Sequence, residues 1–321
     1  MRPSAVVVGS YNQDYAWHVE HAPRAGETLR GNDFRSAPGG KGFNQAVACA
    51  RQGVATHFIS AIGVDPAGDI AQRLAADEGI EAHWLRRADA ATGSACIVVE
   101  HDGQNRIIVA LGANERLDTD HLDAQSASFA GAQVLLVQLE NNLDATRHAL
   151  ALATTHRLLR VLNPAPVHAG LDAGLLARCD LLTPNESEFT SLLGRLAGES
   201  VDAATLAQRD DANLHCLARL LGVGTVVITL GARGCFVSHG EDRHGDADAC
   251  YRIGAEPVAP IDTTGAGDAF SGALVAAIVR FPGRPLHDAV VHANRCAALS
   301  TEARGAAPSM PRFADVAQRF A

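Results

Sequence analysis

Apolar and β-branched residues fall in short runs along this chain, at 5–8, 58–62, 134–139, 158–162 and 225–230. Runs of this length with little polar alternation are what strands buried on both faces require. Between them lie stretches of helical composition at 44–52, 70–78, 143–153, 214–221, 269–279 and 286–300. The alternation predicts an open, mostly parallel α/β sheet with helices on both faces. Two segments, 12–38 and 93–111, break the rhythm. In the second, residues 94–100 and 106–111 flank a turn at His101-Asp102-Gly103, which is the pattern of an antiparallel hairpin. Both segments are assigned to a small β appendage at one edge, a lid over the carboxyl ends of the main strands, where open α/β sheets bind ligands. No repeat, low-complexity linker or charge block divides the chain. Residues 1–321 therefore read as a single α/β domain whose lid strands come from about 12–38 and 93–111.

Composition narrows the function. With 321 residues the chain buries a large core, and a formal net charge of −9 with scattered basic residues disfavours DNA or RNA as a partner. Seven cysteines without a C-x-x-C pair suggest neither a disulfide framework nor a zinc site, and fit a reducing cytoplasm. The first apolar run is too short for a signal peptide or a membrane span, so it reads as a buried strand.

Candidate chemistry concentrates where runs end. In Ile261-Asp262-Thr263-Thr264-Gly265-Ala266-Gly267-Asp268, two glycines turn the backbone into the start of an apolar helix, whose free N–H groups form an anion hole. Asp268 stands in the first turn, placed to take a proton from an attacking hydroxyl, although an Asp there also serves simply as a cap. Pro38-Gly39-Gly40-Lys41-Gly42-Phe43-Asn44 wraps a lysine in glycines. It is not a nucleotide P-loop, because Arg35 and Gly42 stand where that motif needs Gly and Ser/Thr, and no G-x-G-x-x-G occurs. Close approach of a polyhydroxylated ligand to Lys41 and Asn44 is one reading, and a plain turn before a helix is the other. Asn12 and Asp14 follow the first run, where they either face a ligand or merely form a turn. Asn185 and Glu188, one helical turn apart, either hold hydrated Mg²⁺ near phosphates or form a capping box, and both roles are compatible. Thr229-Leu230-Gly231-Ala232-Arg233-Gly234 offers loop donors to phosphate or is a simple turn. Four of these clusters begin at predicted strand ends and so converge on one rim.

Together these motifs, with Gln138-Leu139-Glu140 and Leu162-Asn163-Pro164-Ala165-Pro166, resemble the ribokinase-like (pfkB-type) family of carbohydrate kinases over nearly the whole chain. The resemblance implies ATP-dependent phosphorylation of D-ribose at its 5-hydroxyl. Asp268 would be the base, and Gly265, Ala266 and Gly267 the anion hole. Asn12, Asp14, Gly39, Gly40, Lys41, Asn44 and Glu140 would grip the sugar. Asn185, Thr229, Gly231, Gly234, Gly267 and Asn294 would contact ATP, with Glu188 acting on Mg²⁺ through water. A K⁺-type site would use Asp262, Thr264, Ser300, Ala303, Gly305 and Ser309, mostly through backbone carbonyls. The lid would also be a homodimer surface. The alternatives are a related kinase acting on deoxyribose, fructose or a nucleoside, or a non-catalytic sugar-binding protein on the same fold. Three departures bear on this: Tyr11 and Phe43 are bulky for residues beside a ribose pocket, 193–214 is long, and Arg295 interrupts a helix of small residues.

Overall fold

The computed structural model describes residues 3–102 and 104–321. Its strands are β1 (Ser4–Val8), β2 (Asn12–Val19), β3 (Asp33–Gly39), β4 (Ala55–Gly63), β5 (Glu81–Arg87), β6 (Gly93–Glu100), β7 (Asn105–Ala110), β8 (Val134–Val137), β9 (Leu159–Leu162), β10 (Leu181–Leu182), β11 (Thr225–Thr229), β12 (Cys235–His239) and β13 (Cys250–Ile253). The main sheet has the order β13-β12-β11-β10-β9-β8-β1-β4-β5. Pairing is parallel from β11 through to β5 and antiparallel at β11–β12 and β12–β13.

The five buried runs of the sequence are β1, β4, β8, β9 and β11. Of the other four strands of this sheet, the two-residue β10 directly precedes Thr183, and three leave no such run in the pattern. β5 is amphipathic because one side faces the edge, while β12 and β13 form the antiparallel margin. The longer helices are α1 (Lys41–Arg51), α2 (Pro66–Asp77), α3 (Leu143–Thr155), α4 (Asp211–Arg219), α5 (Ala266–Arg280) and α6 (Leu286–Ser300). They cover the sheet in two layers. One apolar cluster joins α1, α2, α5 and α6 to Val7, Phe58 and Leu136, and the other joins α3 and α4 to Val8, Ile59 and Leu135. Strand residues alternate between the two layers, so the inner strands β1, β4, β8, β9 and β11 are largely apolar on both sides.

α1 lies directly against α5. At Gly272 a Cβ would come within 2.6 Å of the Ala48 methyl, so the two helices approach closer than any side chain there would allow.

The lid is a separate sheet of order β3-β2-β6-β7. The hairpin expected at 94–100 and 106–111 is β6–β7, and its tip residue Gly103 lies outside the described residues. β2–β3 is also antiparallel, but the two hairpins join through a parallel β2–β6 pairing, so the lid is mixed. The long stretch 193–214 holds a wide helical turn at Leu193–Ala197 and the short helix Ala203–Leu206. Among the described residues no helix is long and apolar enough to cross a membrane.

Candidate active site

From β11 to β1, successive strands end in polar residues: Thr229 after Ile228, Thr183 and Asn185 after β10, Asn163 after β9, Gln138 and Glu140 after β8, and Ser10 after β1. Chain direction across the sheet reverses between β8 and β1, and crevices in open α/β sheets form at such a point. The clusters singled out from sequence meet along this rim.

α1 begins three residues before the sequence pattern indicates. Its N-cap is Gly40, which has no side chain to cap with. Distant residues do this instead: Glu140 Oε2 accepts the Lys41 N–H at 2.9 Å and the Ser10 hydroxyl, and Ser10 C=O accepts the Phe43 N–H at 2.9 Å. One turn further, α1 presents two amides to Asp268. Asn44 Nδ2 donates to Asp268 Oδ2 and Gln45 Nε2 to Asp268 Oδ1, both at 2.9 Å. Gln45 also donates to Asn163 Oδ1 at 3.0 Å and accepts from Gln138 Nε2 at 2.6 Å. The amide oxygen of Asn44, Oδ1, is buried without a partner among the described residues. An unpaired buried carbonyl costs about 1–3 kcal/mol, so it awaits a donor.

The lid brings Asn12 and Asp14 to the same place. Asn12 pairs with Gly39 and Asp14 with Ala37 across β2–β3, and a side chain on Gly39 would collide with the Asp14 carboxylate. Sequence reasoning missed Asn114, a fully buried residue that anchors the base of the lid. Its Oδ1 accepts the Tyr11 N–H at 3.0 Å, while its Nδ2 reaches Asn12 Oδ1 at 3.0 Å and the Tyr11 and Leu111 carbonyls at 2.9 Å. Nothing local marks Asn114 or Gln45, since their partners, Leu111 apart, lie about a hundred or more residues away.

Charge is concentrated here. Burial, reinforced by the Glu140 and Asp268 carboxylates, raises Asp14 to about 7. Burial alone would lower Lys41, but Asp268, Glu140 and Glu188 outweigh it and raise it. Glu188 is raised by burial, opposed by the Asn185 N–H and by Lys41.

Asp268 lies in the first turn of α5, whose N-cap Gly265 is left-handed at φ 78°. A Cβ on Gly265 would sit 2.9 Å from Ala306 Cα, so the turn is pressed against the 300–309 loop. The Ala266 N–H already donates to Thr263 C=O at 3.2 Å, while the Gly267 and Asp268 N–H groups have no protein acceptor among the described residues. A Cβ on Gly267 would meet nothing within 4 Å, so the space over this helix end is open. Beneath it, the Asp262 carboxylate accepts the Thr264 and Gly305 N–H groups, each at 2.9 Å, tying the two loops together. These bonds outweigh burial and hold Asp262 below the usual carboxylate range. Ser300 and Ser309 are buried, their hydroxyls donating to Ala297 and Ala306 C=O, and Ala303 N–H returns to Ser300 C=O.

A cavity of about 150 Å³ joins Lys41, Glu188 and Asp268 to the turn at 265–267. It adjoins a larger one of about 510 Å³ lined by Asn185, Thr229, Gly231, Gly234, Gly267 and Asn294, among others. Asn185 and Glu188 form the expected capping box, through bonds of 2.8 and 2.9 Å. Leu230 N–H to Gly234 C=O, at 2.8 Å, closes the turn that brings Gly231 and Gly234 to the larger cavity.

This arrangement of an amide-held carboxylate beside a helix end, between a small polar cavity and a larger apolar one, has counterparts. The description "pfkB family carbohydrate kinase" matches residues 2–312. The chain belongs to this family. It is a carbohydrate kinase, similar to the ribokinase of Haemophilus influenzae, with 36% identity over 312 residues that cover 97% of this chain and 96% of that protein. The ribokinase structure from Giardia lamblia superposes with a TM-score of 0.87 at 27% identity, covering 99% and 98% of the two chains. The Arabidopsis thaliana ribokinase complexed with ribose and ATP does so at 0.81 and 28%, with the same coverage.

Two of the departures noted in the sequence of this kinase prove to be packing. Tyr11 and Phe43 are buried in the core, edge-to-face at 5.2 Å, with Phe43 against Phe58 and the Tyr11 hydroxyl donating to Gln13. Arg295 points away from its helix to Glu256 at 3.0 Å and lies over Phe320. Its neighbour Asn294 therefore still faces the larger cavity, donating to Gly254 C=O at 2.9 Å.

Proposed function

We propose that this kinase transfers the terminal phosphoryl group of ATP to the 5-hydroxyl of D-ribose. The observation that carries this reading is the state of Asn44, whose Nδ2 holds the candidate base while its buried Oδ1 lacks a partner. A sugar hydroxyl would satisfy that oxygen and lie beside Asp268. Asn12, Asp14, Gly39, Gly40, Lys41 and Glu140 would hold the remaining hydroxyls. Asp268 takes the proton of the 5-hydroxyl as its oxygen attacks phosphorus. The turn Gly265-Ala266-Gly267 and the free N–H groups that follow it accept the charge of the transferring group, with Lys41 close by. Asn185, Thr229, Gly231, Gly234 and Asn294 would line the adenine nucleotide.

Glu188 offers the hard oxygen donor that Mg²⁺ takes in company with phosphates and water, and bound Mg²⁺ would neutralise phosphate charge. Asp262, Thr264, Ser300, Ala303, Gly305 and Ser309 supply backbone and hydroxyl oxygens suited to a K⁺-type ion. The Asp262 carboxylate, committed to two N–H groups, shapes that loop instead of ligating. Exposed Trp17, Phe34, Ile107, Ile108 and Val109 support homodimerisation through the lid. Seven free cysteines, four of them buried, support the cytoplasm as its compartment.

The test is ADP release across D-ribose, 2-deoxyribose, D-xylose, D-fructose and adenosine. D-Ribose should give the highest kcat/KM, because each missing hydroxyl leaves a buried partner unpaired at about 1–3 kcal/mol. Preference for a nucleoside or a hexose would overturn the assignment.

A further inference from the structure

Far from this rim, three metal-ligating side chains meet at the edge of the main sheet. In the parallel β4–β5 register His57 stands opposite Glu81 and Ile59 opposite His83, so all three side chains share one face. His57 Nδ1 lies 3.4 Å from one Glu81 carboxylate oxygen and His83 Nε2 lies 3.5 Å from the other. The two imidazoles are nearly parallel, at 15° with centroids 5.8 Å apart. One ligand atom from each residue falls within 4.8 Å of the others.

An ordinary ion pair accounts poorly for this arrangement. His57 Nδ1 is buried, yet makes no hydrogen bond even with Glu81 at that distance. His83 Nε2 hydrogen-bonds to the Ser128 hydroxyl at 3.2 Å and, like His57, makes no hydrogen bond to Glu81. Each imidazole nitrogen approaches its own oxygen of the Glu81 carboxylate at the edge length of a metal site, and the cluster needs only a small contraction from 4.8 Å to close on one ion. Arms of about 2.0–2.2 Å in a tetrahedron place ligand atoms about 3.3–3.6 Å apart.

We propose that His57, Glu81 and His83 form a binding site for one divalent transition-metal ion of the zinc class. Two imidazoles and a carboxylate favour such an ion over Mg²⁺, which takes oxygen ligands and reluctantly sheds water. The imidazoles are largely enclosed, with side-chain exposures of 18% and 19%, while Glu81 at 65% leaves the remaining coordination positions open to solvent. The site lies outside the phosphoryl-transfer machinery, because His57 precedes the carboxyl end of β4 by six residues, or about 20 Å of strand. Bound metal would clamp the last strand of the sheet to its neighbour.

The test uses the metal-stripped full-length protein titrated with ZnCl₂ in excess Mg²⁺, by calorimetry and by thermal denaturation. Wild type should bind one equivalent and gain Tm, because a ligand of the native state stabilises it. His57→Gln and His83→Gln should each weaken that equivalent at least tenfold while keeping wild-type kinase activity and circular dichroism. Co²⁺ bound to wild type should show ligand-field bands without thiolate charge transfer, a readout that does not depend on the variants folding. The assignment is overturned by absence of binding, by an equivalent that survives both substitutions, or by thiolate bands traced to exposed Cys96 or Cys216.

Discussion

Asp268 holds its two oxygens on two different amides, and those amides differ in what stands behind them. Replacing Asp268 by Asn keeps the shape and removes the base, so kcat should fall about 10²- to 10⁴-fold while sugar binding persists in calorimetry. Retention of a third of the activity would remove Asp268 from that role. Gln45 acts at one remove, through its bonds to Gln138 and Asn163. Gln45→Leu frees one carboxylate oxygen without touching sugar, so kcat should drop by up to about 10²-fold with KM nearly constant. A KM effect of equal size would make Gln45 a binding residue instead. Asp14 carries a pH signature. Its folded pKa near 7 exceeds the ordinary 3.8, so between those values the native state holds more protons than the unfolded one and stability falls as pH rises. Asp14→Asn should therefore melt higher than wild type at pH 8, with the difference vanishing near pH 4 in a series of thermal scans. Asp268, Lys41 and Asn44 were legible because glycines beside a polar residue at a helix start leave a local mark. Gln45 and Asn114 were not, because an amide's role depends on partners brought in from other strands.

Among elements, the 300–309 loop and the 261–267 turn behave as one unit, joined by Asp262 and by the contact of Gly265 with Ala306. An ion that ordered the loop would thereby fix the helix end proposed to hold phosphate. With saturating Mg²⁺, rates should rise from tetramethylammonium through Na⁺ to K⁺, and Asp262→Ala should abolish the differences. Equal rates in all three would leave the loop purely structural. The lid was legible from its departure from the αβ rhythm and from the alternation in 94–100 and 106–111. The parallel β2–β6 join was not, because register between separated strands leaves no local sequence mark. Nor was the true start of α1, since its N-terminus is capped by Glu140 and Ser10, far away in the chain.

For the molecule as a whole, the doubly covered sheet followed from runs too apolar to face water, whereas β5 and β13 are partly exposed margins and the buried β12 has only three apolar residues before Ser238 and His239, so none of them leaves such a run. Among the described residues the lid gathers the largest group of exposed apolar side chains: Trp17, Phe34, Ile107, Ile108 and Val109. Trp17 and Phe34 pair across β2–β3 with ring centroids at 5.0 Å, and Ile108 on β7 is 72% exposed. Trp17→Arg combined with Ile108→Arg should convert a dimer into monomers in sedimentation velocity, with Tm nearly unchanged, whereas a wild-type monomer would refute the lid interface. The contact at Gly272 has another consequence. The helix proposed to grip substrate and the helix that carries the proposed base touch backbone to backbone, so a shift of one is passed to the other. Any sugar contact made from α1 is therefore coupled to the placement of Asp268: a residue that shifts one helix shifts both. Nucleotide loop and lid lie outside that pair of helices and are free to vary. A laboratory lineage selected for a new sugar should accumulate its changes first in the lid, and keep position 272 as glycine throughout.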